Sequence, residues 1–109
     1  MSAGSDAMAA RIRPLLATRQ LVESKMFGGI GFMLAGNMAI GTTARGDLLV
    51  RIDPARQAET VARPGAYQMM MDQRLMKGFI AVTAEGLSDA SLAAWLADAL
   101  AYAETLPPK

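Results

Sequence analysis

Apolar positions near the start of the chain recur with the spacing of an amphipathic helix. Intervals of three and four residues place side chains on one helical face, and this stripe consists of Met8, Ile12, Leu15 and Leu16. Ser5 is a typical N-cap, with Asp6 in the first turn. Pro14 interrupts the stripe, and proline removes a backbone hydrogen bond. The pattern predicts a helix over residues 5–18 that kinks or splits at Pro14.

Between residues 21 and 52 the apolar runs become short and glycines separate them. Such runs, bounded by turn residues, are typical of strands, and they fall at 21–27, 30–35, 38–43 and 48–52. Gly28-Gly29 forms a turn or bulge. Gly36-Asn37 suits a two-residue hairpin turn, because both residues tolerate a positive φ. This region therefore predicts a four-stranded antiparallel meander.

A second helix follows the meander. Asp53 is placed to cap it, and Pro54 occupies the favoured first helical position. The helix is predicted over 54–62, since Arg63-Pro64-Gly65 is a strong helix breaker.

The last part of the chain predicts a hairpin and a final helix. The strands fall at 67–71 and 78–83 and flank a turn over 72–77. Ser88 or Asp89 caps the helix, and Trp95 and Tyr102 flank its apolar face. The order α-β-β-β-β-α-β-β-α predicts an α+β fold, with an antiparallel sheet and helices packed against it. The 109 residues are expected to form a single domain.

Composition removes several classes of chemistry. The 109 residues include no cysteine and no histidine. This excludes Cys/His zinc sites, nucleophiles activated by histidine, haem ligation by histidine and disulfides. No apolar run reaches the length of a membrane span, and no export signal precedes the first helix. We therefore expect a bacterial cytoplasmic protein without a metal, a cofactor or a membrane contact.

The glycines around residue 30 superficially suggest a nucleotide-binding loop. Gly29 and Gly31 supply the first pair of a Gly-x-Gly-x-x-Gly fingerprint, but Leu34 stands at the third position. A strand is predicted to follow where the fingerprint needs a helix. A structural turn or bulge is therefore the better interpretation.

Methionine is abundant, with nine residues in the chain. The local cluster Met69-Met70-Met71 with Met76 lies in the predicted hairpin, where core packing is the leading interpretation. An adaptable contact surface is the second, because methionine repacks easily. Copper(I) binding by thioethers is the least favoured of the three.

The charged residues are unevenly distributed. Residues 1–77 hold ten basic and six acidic residues, whereas residues 78–109 hold one basic and four acidic ones. Acids such as Asp47, Asp53, Asp72 and Glu85 fall at predicted turns and caps, where carboxylates are common for structural reasons. We therefore expect them to be solvated and not to form a catalytic pair.

Several short runs together resemble the TfoX N-terminal domain family. They are 25–33 (KMFGGIGFM), 36–39 (GNMA), 47–52 (DLLVRI), 62–66 (ARPGA), 76–79 (MKGF) and 106–109 (LPPK). The resemblance implies an α+β fold and a bacterial cytoplasmic protein. The full-length TfoX regulator activates genes for natural competence and carries a second, C-terminal domain. The chain corresponds to the first domain, so functions of the second are not transferred. The resemblance supplies no catalytic residues, and a cysteine frequent in related short proteins is replaced here by Ile40.

Three hypotheses of function follow. The leading one is a non-enzymatic regulatory domain that binds a protein partner through Met69, Met71 and Met76. The domain is also expected to form a homodimer. The alternative is a nucleic-acid-binding accessory in transcription regulation, with contacts by Arg45, Arg51, Arg56, Arg74 and Lys77. The third is a small-ligand sensor with a pocket between the sheet and the last helix near Trp95. Enzymatic activity is the least expected, because no nucleophile–base pair is present.

Overall fold

The computed structural model describes residues 3–26, 28–71 and 73–109. Its elements follow the predicted order, and the prediction of an α+β fold is confirmed. The helices are α1 (Ala3–Ile12), α2 (Gln57–Val61) and α3 (Asp89–Ala103), with 3₁₀ turns at Arg13–Leu16 and Pro54–Arg56. The strands are β1 (Val22–Met26), β2 (Gly29–Leu34), β3 (Asn37–Thr42), β4 (Leu48–Arg51), β5 (Ala66–Met71) and β6 (Arg74–Val82). Phe27, at the predicted end of the first strand, lies outside the described residues.

The six strands form one antiparallel sheet in the order β1-β2-β3-β4-β6-β5. The meander and the later hairpin are therefore joined through β4 and β6. This order leaves β1 and β5 as the two edge strands. None of the helices in the described part of the chain has the length and hydropathy of a membrane span.

The hydrophobic core lies between the helices and one face of the sheet. The strands contribute alternate residues to it, such as Leu48 and Val50 of β4, because successive strand residues point to opposite faces. Met8 and Ile12 of α1 and Leu96 of α3 cover them. Trp95 is also buried in this core, whereas the sequence placed it at the margin of the α3 face.

The first helix differs from its prediction at both ends. Ser5 is not an N-cap, because α1 begins before it. The Ser5 hydroxyl is buried and forms a 2.6 Å hydrogen bond with the hydroxyl of Thr42 in β3. At the other end, α1 gives way to a 3₁₀ turn in which Pro14 occupies an early position. The predicted break at Pro14 is thus present, and the regular helix ends at Ile12.

The turn between β2 and β3 lies one residue earlier than predicted. Ala35 and Gly36 have φ values of 51° and 85°, whereas Asn37 belongs to β3. The Asn37 side chain donates instead to the carbonyl of Pro107, 2.9 Å away. The backbone N–H of Lys109 donates to the carbonyl of Ala35 at 2.8 Å. The C-terminal residues therefore pack on this turn and determine where it falls.

The predicted turn over 72–77 is wrong for most of its length. Strand β6 begins at Arg74, and Asp72 lies outside the described residues. The pairing between β5 and β6 shifts register between Gln68 and Met70. Gly78 supplies the positive φ of 85° that this irregular stretch of β6 requires. The glycine that appeared to begin a strand is therefore an irregularity within a longer one.

Candidate functional site

A cavity of about 390 Å³ opens on the face of the sheet opposite the core. No residue in its wall belongs to a helix. Its lining is mostly apolar and includes five of the nine methionines. The lining residues are Met26, Met38, Leu49, Tyr67, Met69, Met70 and Met76, together with Thr42, Thr43, Ala44, Arg45 and Gln68. We call this cavity the methionine groove.

Two glycines provide space for the methionines on this face. Gly31 of β2 and Gly41 of β3 are direct cross-strand partners. A Cβ atom added to Gly31 would lie 3.2 Å from the sulfur of Met26 and 3.5 Å from the sulfur of Met38. A Cβ at Gly41 would lie only 2.5 Å from the terminal methyl of Met38. Met26 and Met38 therefore cover the backbone at these glycines, and Gly31 has a packing role in β2.

The shape of the β5–β6 hairpin, which carries three of the groove methionines, depends on Gln57 of α2. Its buried amide nitrogen donates to the carbonyls of Met76 and Phe79, each at 3.2 Å, and to the side-chain oxygen of Gln68 at 2.9 Å. Its carbonyl oxygen accepts from the N–H of Gly78 at 2.9 Å. One glutamine thus supplies partners for backbone groups that the irregular strand pairing leaves free. Gln57 is not itself part of the groove lining, but it positions the hairpin through these hydrogen bonds.

Tyr67 lines the polar end of the groove, and its hydroxyl bonds Asp47 behind the wall. Asp47 is buried, which corrects the prediction of a solvated turn carboxylate. It accepts hydrogen bonds from the Tyr67 hydroxyl and, at 2.9 Å, from the N–H of Ala84. Burial raises the pKa of Tyr67 to about 12, and the hydrogen bond to Asp47 acts in the same direction. The phenol is therefore neutral near pH 7 and holds β5 against the loop before β4.

Arg45 lies beside this polar end. Its side chain is exposed and belongs to the groove wall. Its positive charge acts on Tyr67 in the direction opposite to burial and lowers its pKa. None of the five ion pairs found among the described residues involves Arg45.

The structure places two of the three predicted partner-contact residues in the groove. Met69 and Met76 are part of its lining, and Met70, which was not in that set, is as well. Met70 is 51% exposed and is therefore the most accessible of them. The backbone of Met71 pairs with Arg74 in the hairpin, but its side chain lies outside the described residues.

The five predicted nucleic-acid contacts are not all brought together. Arg45 lines the methionine groove, and Arg74 and Lys77 are exposed on β6. Arg51 stacks over the Phe79 ring at 5.2 Å. Arg56 lies on the helix side and pairs with Glu59 at 2.8 Å. Arg51 and Arg56 line one cavity on the helix side and Arg45 lines the groove, so the five cations do not form the continuous basic stripe that a nucleic-acid backbone favours.

The pocket expected near Trp95 exists as a second cavity, of about 560 Å³, between α2 and α3. Two of its arginines, Arg56 and Arg63, form ion pairs, and Arg51 also lies in its wall. Arg63 stacks over Trp95 at 3.6 Å and bonds Asp98 at 3.2 Å, while Arg56 bonds Glu59. The arginine covers the indole, so this cavity is a less suitable ligand site than the methionine groove.

Sequence reasoning did not identify Met26, Met38, Leu49 or Tyr67 as groove residues. These residues come from β1, β3, β4 and β5 and meet only through the strand order. One signal was present in the sequence: the two glycines at 31 and 41 lie in predicted strands, where a missing side chain leaves space for neighbours.

Comparison with known proteins connects this fold to one family. Searches among curated proteins and among solved structures found no match to the chain. The TfoX N-terminal domain family matches residues 15–103, which include all six strands and α3. The match covers most of the 109 residues and agrees with the resemblance of the short sequence runs. The chain therefore belongs to the TfoX N-terminal domain family.

Proposed function

We propose that this chain is a non-enzymatic interaction domain that binds a protein partner through the methionine groove. The observation that carries the proposal is an open, mostly apolar cavity on the helix-free face of the sheet. Exposed apolar surface of this kind marks interaction sites, and methionine adapts its shape to a bound chain. Family membership supports a regulatory role, and a bacterial cytoplasmic location is part of the same proposal.

The polar groups of the groove support binding without catalysis. The Thr43 hydroxyl accepts from the N–H of Asp47 at 3.0 Å, and the Thr42 hydroxyl accepts from the N–H of Ile30 at the same distance. The Tyr67 hydroxyl is engaged by Asp47. Each hydroxyl in the wall therefore has a structural hydrogen bond, and none lies against a free base that would activate it.

The test is site-specific photo-cross-linking in cells that express the protein. A photoreactive phenylalanine analogue replaces Met70 in the groove or, as the matched control, Val22 on edge strand β1. Both positions are exposed, at 51% and 69%, and Val22 is outside the groove. We expect a defined cross-linked protein from position 70 only. The same products from both positions, or none from either, would contradict the proposal.

The same experiment tests the predicted homodimer. If the cross-linked partner is a second copy of the chain, light scattering on the purified protein should give twice the chain mass. A different partner at position 70 together with a monomer mass would refute the homodimer while retaining the interaction domain.

One observation favours nucleic acid as the second candidate. Arg45, Arg74 and Lys77 form no ion pair within the described residues and remain available to phosphate. Binding carried by such contacts falls steeply with salt. Fluorescence anisotropy with labelled duplex and single-stranded DNA, at two salt concentrations, separates the candidates. We expect no tight binding at either concentration, and tight binding lost at the higher one would favour the nucleic-acid function.

A further inference from the structure

The methionine groove contains one cation, Arg45, and several uncharged polar side chains. The two kinds differ in whether they form hydrogen bonds within the domain. Thr42, Thr43 and Tyr67 each take part in hydrogen bonds within the domain. Gln68 accepts from Gln57. Arg45 is the exception, since its exposed guanidinium forms no hydrogen bond or ion pair among the described residues. The groove therefore offers one uncommitted polar group at the end of an apolar cavity.

The charge of that group restricts what can occupy the groove. None of the described residues in the groove wall is an acid, and Arg45 forms no ion pair with a described carboxylate. An apolar segment that enters the groove displaces water around the guanidinium, and charge next to a low-dielectric surface then interacts more strongly. A carboxylate on that segment would complete the site, whereas a basic residue would be repelled.

The same charges disfavour a second copy of this chain as the occupant. The exposed apolar residues closest to the groove are Met70 and Leu75, which are cross-strand partners on the hairpin. Arg74 and Lys77 lie on that same hairpin. A second hairpin inserted into the groove would bring its own cations towards Arg45.

We propose that the groove recognises an apolar peptide segment that carries one aspartate or glutamate placed against Arg45. The inference rests on the proposed protein-binding function and specifies its partner. The methionines supply an adaptable apolar contact, and Arg45 selects the sign of the neighbouring charge. Arg45 is then the specificity-determining residue of the groove.

The test is selection of a random peptide display library on the folded domain and on Arg45→Glu. On the natural sequence we expect apolar peptides with a preferred acidic position. On Arg45→Glu we expect a basic residue at the corresponding position, because the charge that faces it has been reversed. A preferred peptide should bind Arg45→Gln about tenfold more weakly, the effect of losing one charge-assisted hydrogen bond.

Two control variants separate the inference from the function on which it rests. Met70→Lys places a charge in the groove, and Val22→Lys places the same charge on an exposed position of β1 outside it. Apolar peptides without a charge preference, lost on Met70→Lys but kept on Val22→Lys, would overturn the inference and leave the proposed function standing. Equal enrichment on Met70→Lys and on the natural sequence would overturn the proposed function as well.

Discussion

The two faces of the sheet are built from the same strands but are covered in different ways. One face packs against three helices and forms the core with residues such as Ile40, Leu48 and Ile80, each without measurable exposure. Among the described residues, the other face has no helix in its groove wall, which includes five methionines, two of which (Met26 and Met38) lie over Gly31 and Gly41. The first arrangement fills its space with rigid branched side chains. The second leaves an open groove lined by flexible ones, which suits the binding of another chain.

The ion pairs are also distributed unequally between the two sides of the sheet. Each of the five ion pairs includes a residue in or next to a helical segment, as Arg63–Asp98 does between the end of α2 and α3. The cation of the groove, Arg45, has no such partner among the described residues. The ion pairs of the described residues therefore lie on the helix side, whereas the groove side has a charge that a partner can use.

The largest expected effect compares two residues of β3. Ile40 is fully buried in the core, and Met38 is half-buried in the groove. Ile40→Ala should lower the free energy of unfolding by about 2–5 kcal/mol, because it leaves a cavity in a packed core. Met38→Ala should cost about 1 kcal/mol, because groove neighbours and water can fill the space. Urea denaturation of both variants measures the difference. Equal costs would mean that the groove is a second core.

A smaller loss of stability is expected for substitutions of Asp47 and Tyr67, at the polar end of the groove. Asp47→Ala leaves the N–H of Ala84 and the hydroxyl of Tyr67 without their acceptor, so it should cost about 1–3 kcal/mol in unfolding free energy. Tyr67→Phe removes only one of these hydrogen bonds and should cost less. If Asp47→Ala were neutral in the same urea measurement, the groove wall would not depend on this carboxylate.

Because the pKa of Tyr67 is raised, the stability that this buried phenol contributes depends on pH. Its pKa is about 12 in the folded protein against 10.0 for an exposed tyrosine. The folded state therefore holds the phenolic proton more tightly than the unfolded state. This contribution to stability is complete below pH 10 and is lost as the pH rises towards 12. Absorbance titration should show a late phenol ionisation near pH 12, and Tyr67→Phe should remove that step.

Sequence patterns predicted the elements well because the signals for elements are local. Alternation, caps and glycine positions reproduce the strand order of the meander, and Asp53 accepts from the N–H of Ala55 as a cap should. The predictions were wrong where contacts with residues distant in the sequence determine the local structure. Asn37 left the predicted turn because its amide bonds Pro107, and β6 starts early because Gln57 supports an irregular pairing around Gly78.

The candidate site was predicted in part for the same reason. Met69 and Met76 stood out as neighbours in one hairpin, but Met26 and Met38 join them only through the three-dimensional order of the strands. The pairing of Arg56 with Glu59, in contrast, spans three residues and could be read from the sequence. Burial of Asp47 could not, because its partners lie twenty and thirty-seven residues away.

The smallest expected effect concerns the charges of the helix side, where Arg13 bonds Glu23 through two contacts of 2.9 Å. This hydrogen bonding lowers the pKa of Glu23, so its contribution to stability is present above the ordinary pKa of 4.5 and is lost as the pH falls through the lowered value. Glu23→Gln should cost at most about 0.5 kcal/mol at pH 7, because both side chains are largely in solvent, which screens the pair.

Urea denaturation at pH 7 and pH 3 should therefore show a slightly larger loss for the natural sequence than for Glu23→Gln. The variant also frees Arg13, which lies on the helix side and outside the methionine groove. If charge alone determined binding, Glu23→Gln would acquire affinity for the acidic peptides selected by Arg45. We expect their affinity to be unchanged, because recognition requires the free cation to lie in the methionine groove itself, as Arg45 does and Arg13 does not.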